Sequence, residues 1–170
     1  LELGSRMLVA AGIARDVDDG KARMKHALES GAGLAKLKEM IAAQGGDAGV
    51  CDDVTRLPQA KHHVPVPAPH DGYVADMDTT AIGYCAQDLG AGRKQKTDVI
   101  DPAVGLVMNV RIGDFVKQGD ALATLHLNKP EQAERAIARM QQAVKLTADK
   151  PAIPPLVYAS VSPEGVARGM

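Results

Sequence analysis

Three prolines crowded into Val64-Pro-Val-Pro-Ala-Pro69 constrain the fold of this chain more than any other stretch. Each proline fixes its own φ, removes a backbone donor and pushes the preceding residue into extended geometry, so no helix can pass through here. The run predicts a domain boundary at about residue 64, with helices before it and extended structure after it.

Residues 1 to about 46 carry helical periodicity. Leu1, Leu8 and Val9, with Ala10 and Ala11, form an apolar face that ends near Gly12. A second helix is expected from about Asp18 to Glu29, with Met24, Ala27 and Leu28 on one face and Gly31 as its cap. A third places Leu34, Leu37 and Ile41 at i, i+3 and i+7 and stops at Gly45-Gly46. Three short amphipathic helices with no strand between them have little to bury against except each other, which predicts the edge of a larger domain. From Asp47 to His63 the chain is polar and reads as an irregular linker.

Beyond the prolines the period becomes strand-like. Tyr73, Ala75 and Met77 share one face, Val104 to Ile112 is β-rich, and Asp120 to Leu127 alternates. Gly113-Asp114 and Gly119-Asp120 are turn signals between short strands. A helix then starts at Asn128 or Lys129, with Pro130 in its first turn and Ala133, Ile137, Met140 and Val144 on one face. Pro151, Pro154 and Pro155 end it, and Leu156 to Val161 reads as a last strand. A weak internal echo links Ala68–Met77 to the segment from Val104 through Gly113-Asp-Phe-Val116, each with a Gly-x-Val beginning similar to the half-motifs of biotinyl and lipoyl carrier domains. The expected class is α+β: a barrel-sandwich-like β core of the α/β-hammerhead type with flanking helices, preceded by helices from the end of an α/β domain.

Composition narrows the function classes. The formal net charge of -1 and pI near 6.6 provide no field toward nucleic acid or membrane. One Phe, three Tyr and no Trp leave too few rings for base-stacking platforms. No apolar run approaches the roughly 20 residues that span a bilayer, and the opening residues lack the basic start of a signal peptide. Cys51 and Cys85 stand outside any CxxC spacing, which favours a reducing, cytoplasmic compartment over a disulfide. The first residue is Leu1, not Met, and the chain is expected to begin within a longer protein.

Few residues look equipped for chemistry. Gly90-Ala-Gly-Arg-Lys-Gln-Lys96 combines flexible backbone with Arg93, Lys94 and Lys96, an arrangement able to approach an anion. It lacks the Gly-Lys-Ser/Thr ending of a P-loop and the third glycine of a dinucleotide fingerprint, so on its own residues a solvated loop is the simpler expectation. Asp71, Asp76 and Asp78 do not have EF-hand spacing and read as turn and strand carboxylates. His62-His63 have no partner at zinc-finger spacing, and Ser5, Ser30 and Ser160 sit in no nucleophile elbow. Lys94 or Lys96 could carry a biotinyl or lipoyl group between the two halves, but neither has the Met-Lys-Met or Asp-Lys-Ala setting.

The order of motifs is more specific than any one of them. Gly12-Ile-Ala, Ala42-Ala-Gln-Gly-Gly-Asp47, Leu57-Pro58, Gly72-Tyr-Val and Ile82-Gly83 lead to Leu89-Gly-Ala-Gly-Arg-Lys-Gln-Lys-Thr-Asp-Val-Ile-Asp101 and then to Val104-Gly105. In this order the chain resembles the C-terminal portion of the pyrimidine nucleoside phosphorylases, the family that includes thymidine phosphorylase. The resemblance implies that residues 1–63 close the family's α/β domain and 64–170 form its C-terminal α+β domain. It implies a homodimeric cytoplasmic enzyme that uses phosphate to cleave thymidine or uridine into base and (deoxy)ribose 1-phosphate, through an oxocarbenium-like transition state. The family's catalytic residues and its monovalent-cation site lie upstream, so no catalytic residue, metal or cofactor is expected in this segment, and the chain alone is expected to be inactive. Its partners would be the remainder of the phosphorylase chain, a second copy, the nucleoside and phosphate, with no nucleic acid and no membrane. Gly90, Gly92, Arg93 and Lys94 are the residues expected at the substrate cleft, serving packing and closure. The alternative is a biotinyl/lipoyl-like carrier or interaction module.

Overall fold

The computed structural model describes residues 1–163 and 165–168. It divides into two compact units, Leu1–Leu57 and Pro58–Met170. The division thus falls before Pro58, not at Val64, because the proline run is itself a strand of the second unit.

The first unit contains α1 (Glu2–Ala10), α2 (Val17–Glu29) and α3 (Ala32–Ala43), then two 3₁₀ turns at Ala48–Cys51 and Val54–Arg56. Asp16 caps α2 by accepting the Asp19 N–H at 2.8 Å, and Gly31, at φ +77°, separates α2 from α3. A Cβ at Gly20 would stand 2.8 Å from the Ser5 carbonyl oxygen, so glycine allows α1 and α2 to meet closely. Glu2 holds Arg6 of its own helix at 3.1 Å and reaches Lys21 of α2 at 2.6 Å. The region read as a linker is organised by Asp47, which accepts from Gly49 N–H and from the Arg56 guanidinium at 2.7 Å. Only Ser5, Ala14 and Gly20 are buried among the described residues of this unit, while Leu28, Leu34, Leu37 and Met40 are exposed. Its helices have no apolar core of their own.

The second unit is built from small antiparallel sheets. In chain order it contains β1 (His62–Pro67), β2 (Gly72–Met77), α4 (Thr79–Ala86), β3 (Gly105–Met108), β4 (Phe115–Val116), β5 (Ala121–Leu127), α5 (Ala133–Ala143), β6 (Val144–Thr147), β7 (Ala159–Ser162) and β8 (Gly165–Arg168). The sheet orders are β1-β5-β3, β4-β2-β6 and β7-β8. β1 tolerates Pro65 and Pro67 because it is an edge strand, where missing donors need no partner on the open side. Val66, Val74, Leu122, Leu125, Leu127 and Met140 are fully buried and form the centre of the core. The α+β class is therefore what the residues build.

The two Gly-Asp turns extend the strand ladders, one beside β2 and the other at the end of β1. Gly113 N–H donates to the Val74 carbonyl at 2.8 Å, and Val74 N–H returns a bond to the Asp114 carbonyl at 2.8 Å. Gly119 and Asp120 repeat this exchange with Ala68, at 2.9 and 2.8 Å. Both glycines lie at positive φ, +95° and +91°, and each Asp carboxylate accepts the N–H three residues back, of Arg111 or Lys117.

Some expected elements take other forms. A bulge between Val74 and Asp76 shifts the register of β2, so Met77 returns to the side of Val74 and packs on the core. Val144 does not continue α5 but starts β6, because Val144-Lys-Leu-Thr147 pairs with β2 from Met77 back to Tyr73. Thr79–Ala86, within the stretch read as strand-like, is a helix capped by Asp78. The last strand starts at Ala159, not Leu156, and pairs with β8.

Glycine substitutions test this account by sign. Gly119→Ala should destabilise by about 1–2 kcal/mol, although nothing lies within 4 Å of the new methyl, because the turn holds φ at +91°. Gly83→Ala, in the open face of α4, should stabilise by about 0.5–1 kcal/mol. Urea midpoints of the two variants check both; matching signs would contradict the assignment of the turn.

Candidate functional site

The glycine-basic loop is reached through α4. Ile82, Cys85 and Leu89 fall at i, i+3 and i+7 and turn one face toward the core, with Cys85 and Leu89 buried. α4 continues into a single π-helical turn, Gln87–Ala91, which Gly90 ends at φ +112°. The start of the Gly90–Lys96 run is therefore the end of a helical turn, and the loop proper starts at Gly92.

That loop is stapled by its own carboxylates. Asp98 Oδ2 accepts the N–H groups of both Lys94 and Gln95 at 2.9 Å. Asp101 accepts Ala103 N–H at 3.0 Å and Asn128 Nδ2–H at 2.7 Å, while its own N–H donates to the Gly90 carbonyl at 3.0 Å. Gln87 Nε2–H donates to the Arg93 carbonyl, and a Cβ on Gly92 would press on Gln87 Cγ at 3.1 Å. Hydrogen bonds from Gln95 and Lys94 N–H, in that order, hold the Asp98 carboxyl below its ordinary value. The two amides that could cradle an anion are thus filled by a side chain of the same loop.

Asp88 collects the cations. Lys94 Nζ and Arg139 Nη1 both pair with its carboxylate, and Arg135 Nη2 lies 3.5 Å away. The Lys94 hydrogen bond is the first cause of a lowered Asp88 pKa, aided by the charges of Lys94, Arg139 and Arg135 against some desolvation. Arg139 also stands 5.9 Å from the centre of the Tyr84 ring. These groups line a cavity of about 230 Å³ with Cys85, Gln132 and Ala136. Burial pushes the Cys85 thiol up, which leaves it a protonated donor toward the Ala136 carbonyl. Gln132 Nε2–H donates to the Asp88 carbonyl at 3.2 Å, whereas its buried Oε1 meets no donor among the described residues.

Residues 73–147, which hold α4, this loop and α5, match the family model of the pyrimidine nucleoside phosphorylase C-terminal domain. Over 162 residues, 95% of the chain, it is 38% identical to a protein named pyrimidine-nucleoside phosphorylase from Geobacillus stearothermophilus. Proteins of the same name from Bacillus subtilis and Staphylococcus aureus are 36% and 38% identical over the same length. Along this length the chain is similar to the C-terminal part of the pyrimidine nucleoside phosphorylases. It spans 37% of the length of these curated relatives.

Of the residues expected at the site, Lys94 pairs with Asp88, Gly90 ends the π turn that carries Asp88, Gly92 packs on Gln87, and Arg93 is exposed, contributing its carbonyl to the staple. Asp88, Arg135 and Arg139 are the members that the sequence did not reveal. Arg135 and Arg139 lie four apart on α5, a visible same-face pair, but their meeting with Asp88 depends on tertiary packing. Lys94 and Lys96 follow a helix and sit at no hairpin tip, unlike the lysine of a carrier domain. Asp71, Asp76 and Asp78 accept from Gln118, Met77 and Ala81 N–H groups. Among the described residues no group of three or more His, Cys, Asp or Glu could hold a metal ion. His62 and His63 lie in β1, not in a linker, and Cys51 and Cys85 are free thiols.

Asp88→Asn should loosen the loop by about 1 kcal/mol, read as faster amide exchange from Gly92 to Val99, with the core amides of β5 unchanged. Acid should do the same. The folded-state pKa of Asp88 is depressed, so its stabilisation is present above the unfolded carboxyl value and is lost as pH falls below it toward the folded one. Faster loop exchange only above neutral pH would contradict this.

Proposed function

We propose that this chain forms the C-terminal domain, and the helices leading into it, of a cytoplasmic homodimeric enzyme that cleaves thymidine or uridine with phosphate to base and (deoxy)ribose 1-phosphate. The observation that carries the proposal is the match over 95% of the chain to proteins named pyrimidine-nucleoside phosphorylase. Leu1–Leu57 is then the last part of the α/β domain, which is supported by three helices without a core of their own. The second unit is then a barrel-sandwich of the hammerhead type, supported by two three-stranded antiparallel sheets around one apolar core.

Within the enzyme the role of this segment is to position and to close. Departure of the pyrimidine leaves oxocarbenium-like charge on the sugar, and exclusion of water strengthens the interactions that stabilise it. The Gly90–Lys96 loop is suited to a closing surface because Asp88 and Asp98 hold it in one shape before any ligand arrives. A pre-shaped surface loses little entropy when a cleft closes on it. Nucleophile, phosphate ligands and the donors for the departing base come from the remainder of the polypeptide.

A chimaera tests both parts. The 170-residue chain alone should release no thymine from thymidine and phosphate, whereas joining it to the upstream part of the Bacillus subtilis relative should give phosphorolysis. In that chimaera the Arg93→Ala, Lys94→Ala double variant should lower kcat/KM about tenfold at unchanged melting temperature. Unchanged kinetics would remove the loop from the mechanism, and thymine release by the chain alone would overturn the division of labour.

A further inference from the structure

β1 and β5 pair so that His63 lies directly opposite His126, and directly opposed residues point to the same face of a sheet. Their ring centroids are 4.3 Å apart with the planes tilted by 44°. His63 is exposed on the edge strand, and His126 is half-buried on the central one. On the other side of His126 stands Gly105 of β3, which brings no side chain, and the space where its Cβ would lie is open. Burial, and after it the neighbouring His63, lowers the pKa of His126, in keeping with a neutral ring.

The spacing suits a shared cation. Two imidazole nitrogens bound to one ion at about 2.0–2.1 Å and a right angle would set the ring centroids about 4.5 Å apart, and a tetrahedral angle would open them to about 5.2 Å. The observed 4.3 Å matches adjacent positions of a tetragonal or six-coordinate ion. Aiming both nitrogens at one point takes rotation about χ2, which is a broad well for histidine. No third protein ligand completes a cage among the described residues, so water fills the remaining positions. We propose that His63 and His126 form a cross-strand bis-imidazole site for a divalent transition cation, Cu²⁺ or Ni²⁺ ahead of Zn²⁺, which ties the edge strand β1 to β5.

Titrating the 170-residue chain with nickel chloride tests this by calorimetry and by melting temperature. Roughly one equivalent should bind, and the melting temperature should rise with nickel, because the ion binds only the folded pair. His63→Gln and His126→Gln should each weaken binding at least about tenfold and abolish the rise. His62→Gln should leave both unchanged, since His62 lies opposite Leu127. If His126→Gln unfolds, His63→Gln on the exposed edge decides alone. Absence of binding at millimolar nickel, binding that survives His63→Gln, or its loss in His62→Gln would overturn the proposal.

Discussion

Two reciprocal pairs of backbone hydrogen bonds hold the second unit to a single arrangement. Gly113-Asp114 exchanges bonds with Val74, and Gly119-Asp120 exchanges them with Ala68. Val74 and Ala68 are 0% and 2% exposed, so their main-chain groups lie where water cannot replace a lost partner. Slipping either turn by one residue would strand a buried donor and acceptor together. It would also require a positive φ from a residue with a Cβ. The prolines act on the same segment from the other side: Pro65 and Pro67 lie in an edge strand, and Pro69 lies in the short bend just before the second sheet. Extended geometry is thus enforced by ring closure before the bend and by paired bonds on either side of it.

How much of this could be read in advance depends on whether the cause was local. Prolines, Gly-Asp turns and the helical period from Ala133 to Met140 act within a few residues, and they correctly indicated an α+β chain with its helices first. β6 was missed because Val144 extends the apolar face of α5 in sequence, whereas its strand exists only through pairing with β2. Met77 reached the core through a bulge, and a bulge is a property of two strands. α4 was legible in principle, since Ile82, Cys85 and Leu89 keep helical spacing behind the Asp78 cap, but the strand-like period on both sides of it hid a short helix. In the site, Gly90, Gly92, Arg93 and Lys94 could be picked out as one run. Asp88 with Arg135 and Arg139 could not, because those contacts span 47 and 51 residues of sequence (135 less 88, 139 less 88).

The two units balance their apolar surface differently. Among the described residues unit two buries fifteen in one cluster, from Val66 to Val144, which packs the two three-stranded sheets against α4 and α5. Unit one fixes its helices with caps, with the Glu2 pairs and with close packing at Gly20, while its leucines face outward. Caps and exposed ion pairs contribute about 0.5–2 and about 0–1 kcal/mol each, whereas a buried leucine contributes about 1.5–3. By that comparison the helices of Leu1–Leu57 are held by weaker, more local interactions than the second unit.

The loop shows why a glycine-basic run need not bind phosphate. An anion site needs N–H donors without partners and cations without counter-charges. Here Asp98 occupies the two amides and Asp88 occupies Lys94, with Arg139 and Arg135 on the same carboxylate. An incoming phosphate would have to displace a carboxylate already held at the loop's own effective concentration, an intramolecular competitor of the same charge sign and similar geometry. The same occupancy ties the loop to its own backbone and to the turn that precedes it. Its glycines then serve close packing on Gln87 and the sharp exit from the π turn, and Lys94 ties it to Asp88, the carboxylate that Arg135 and Arg139 of α5 also hold.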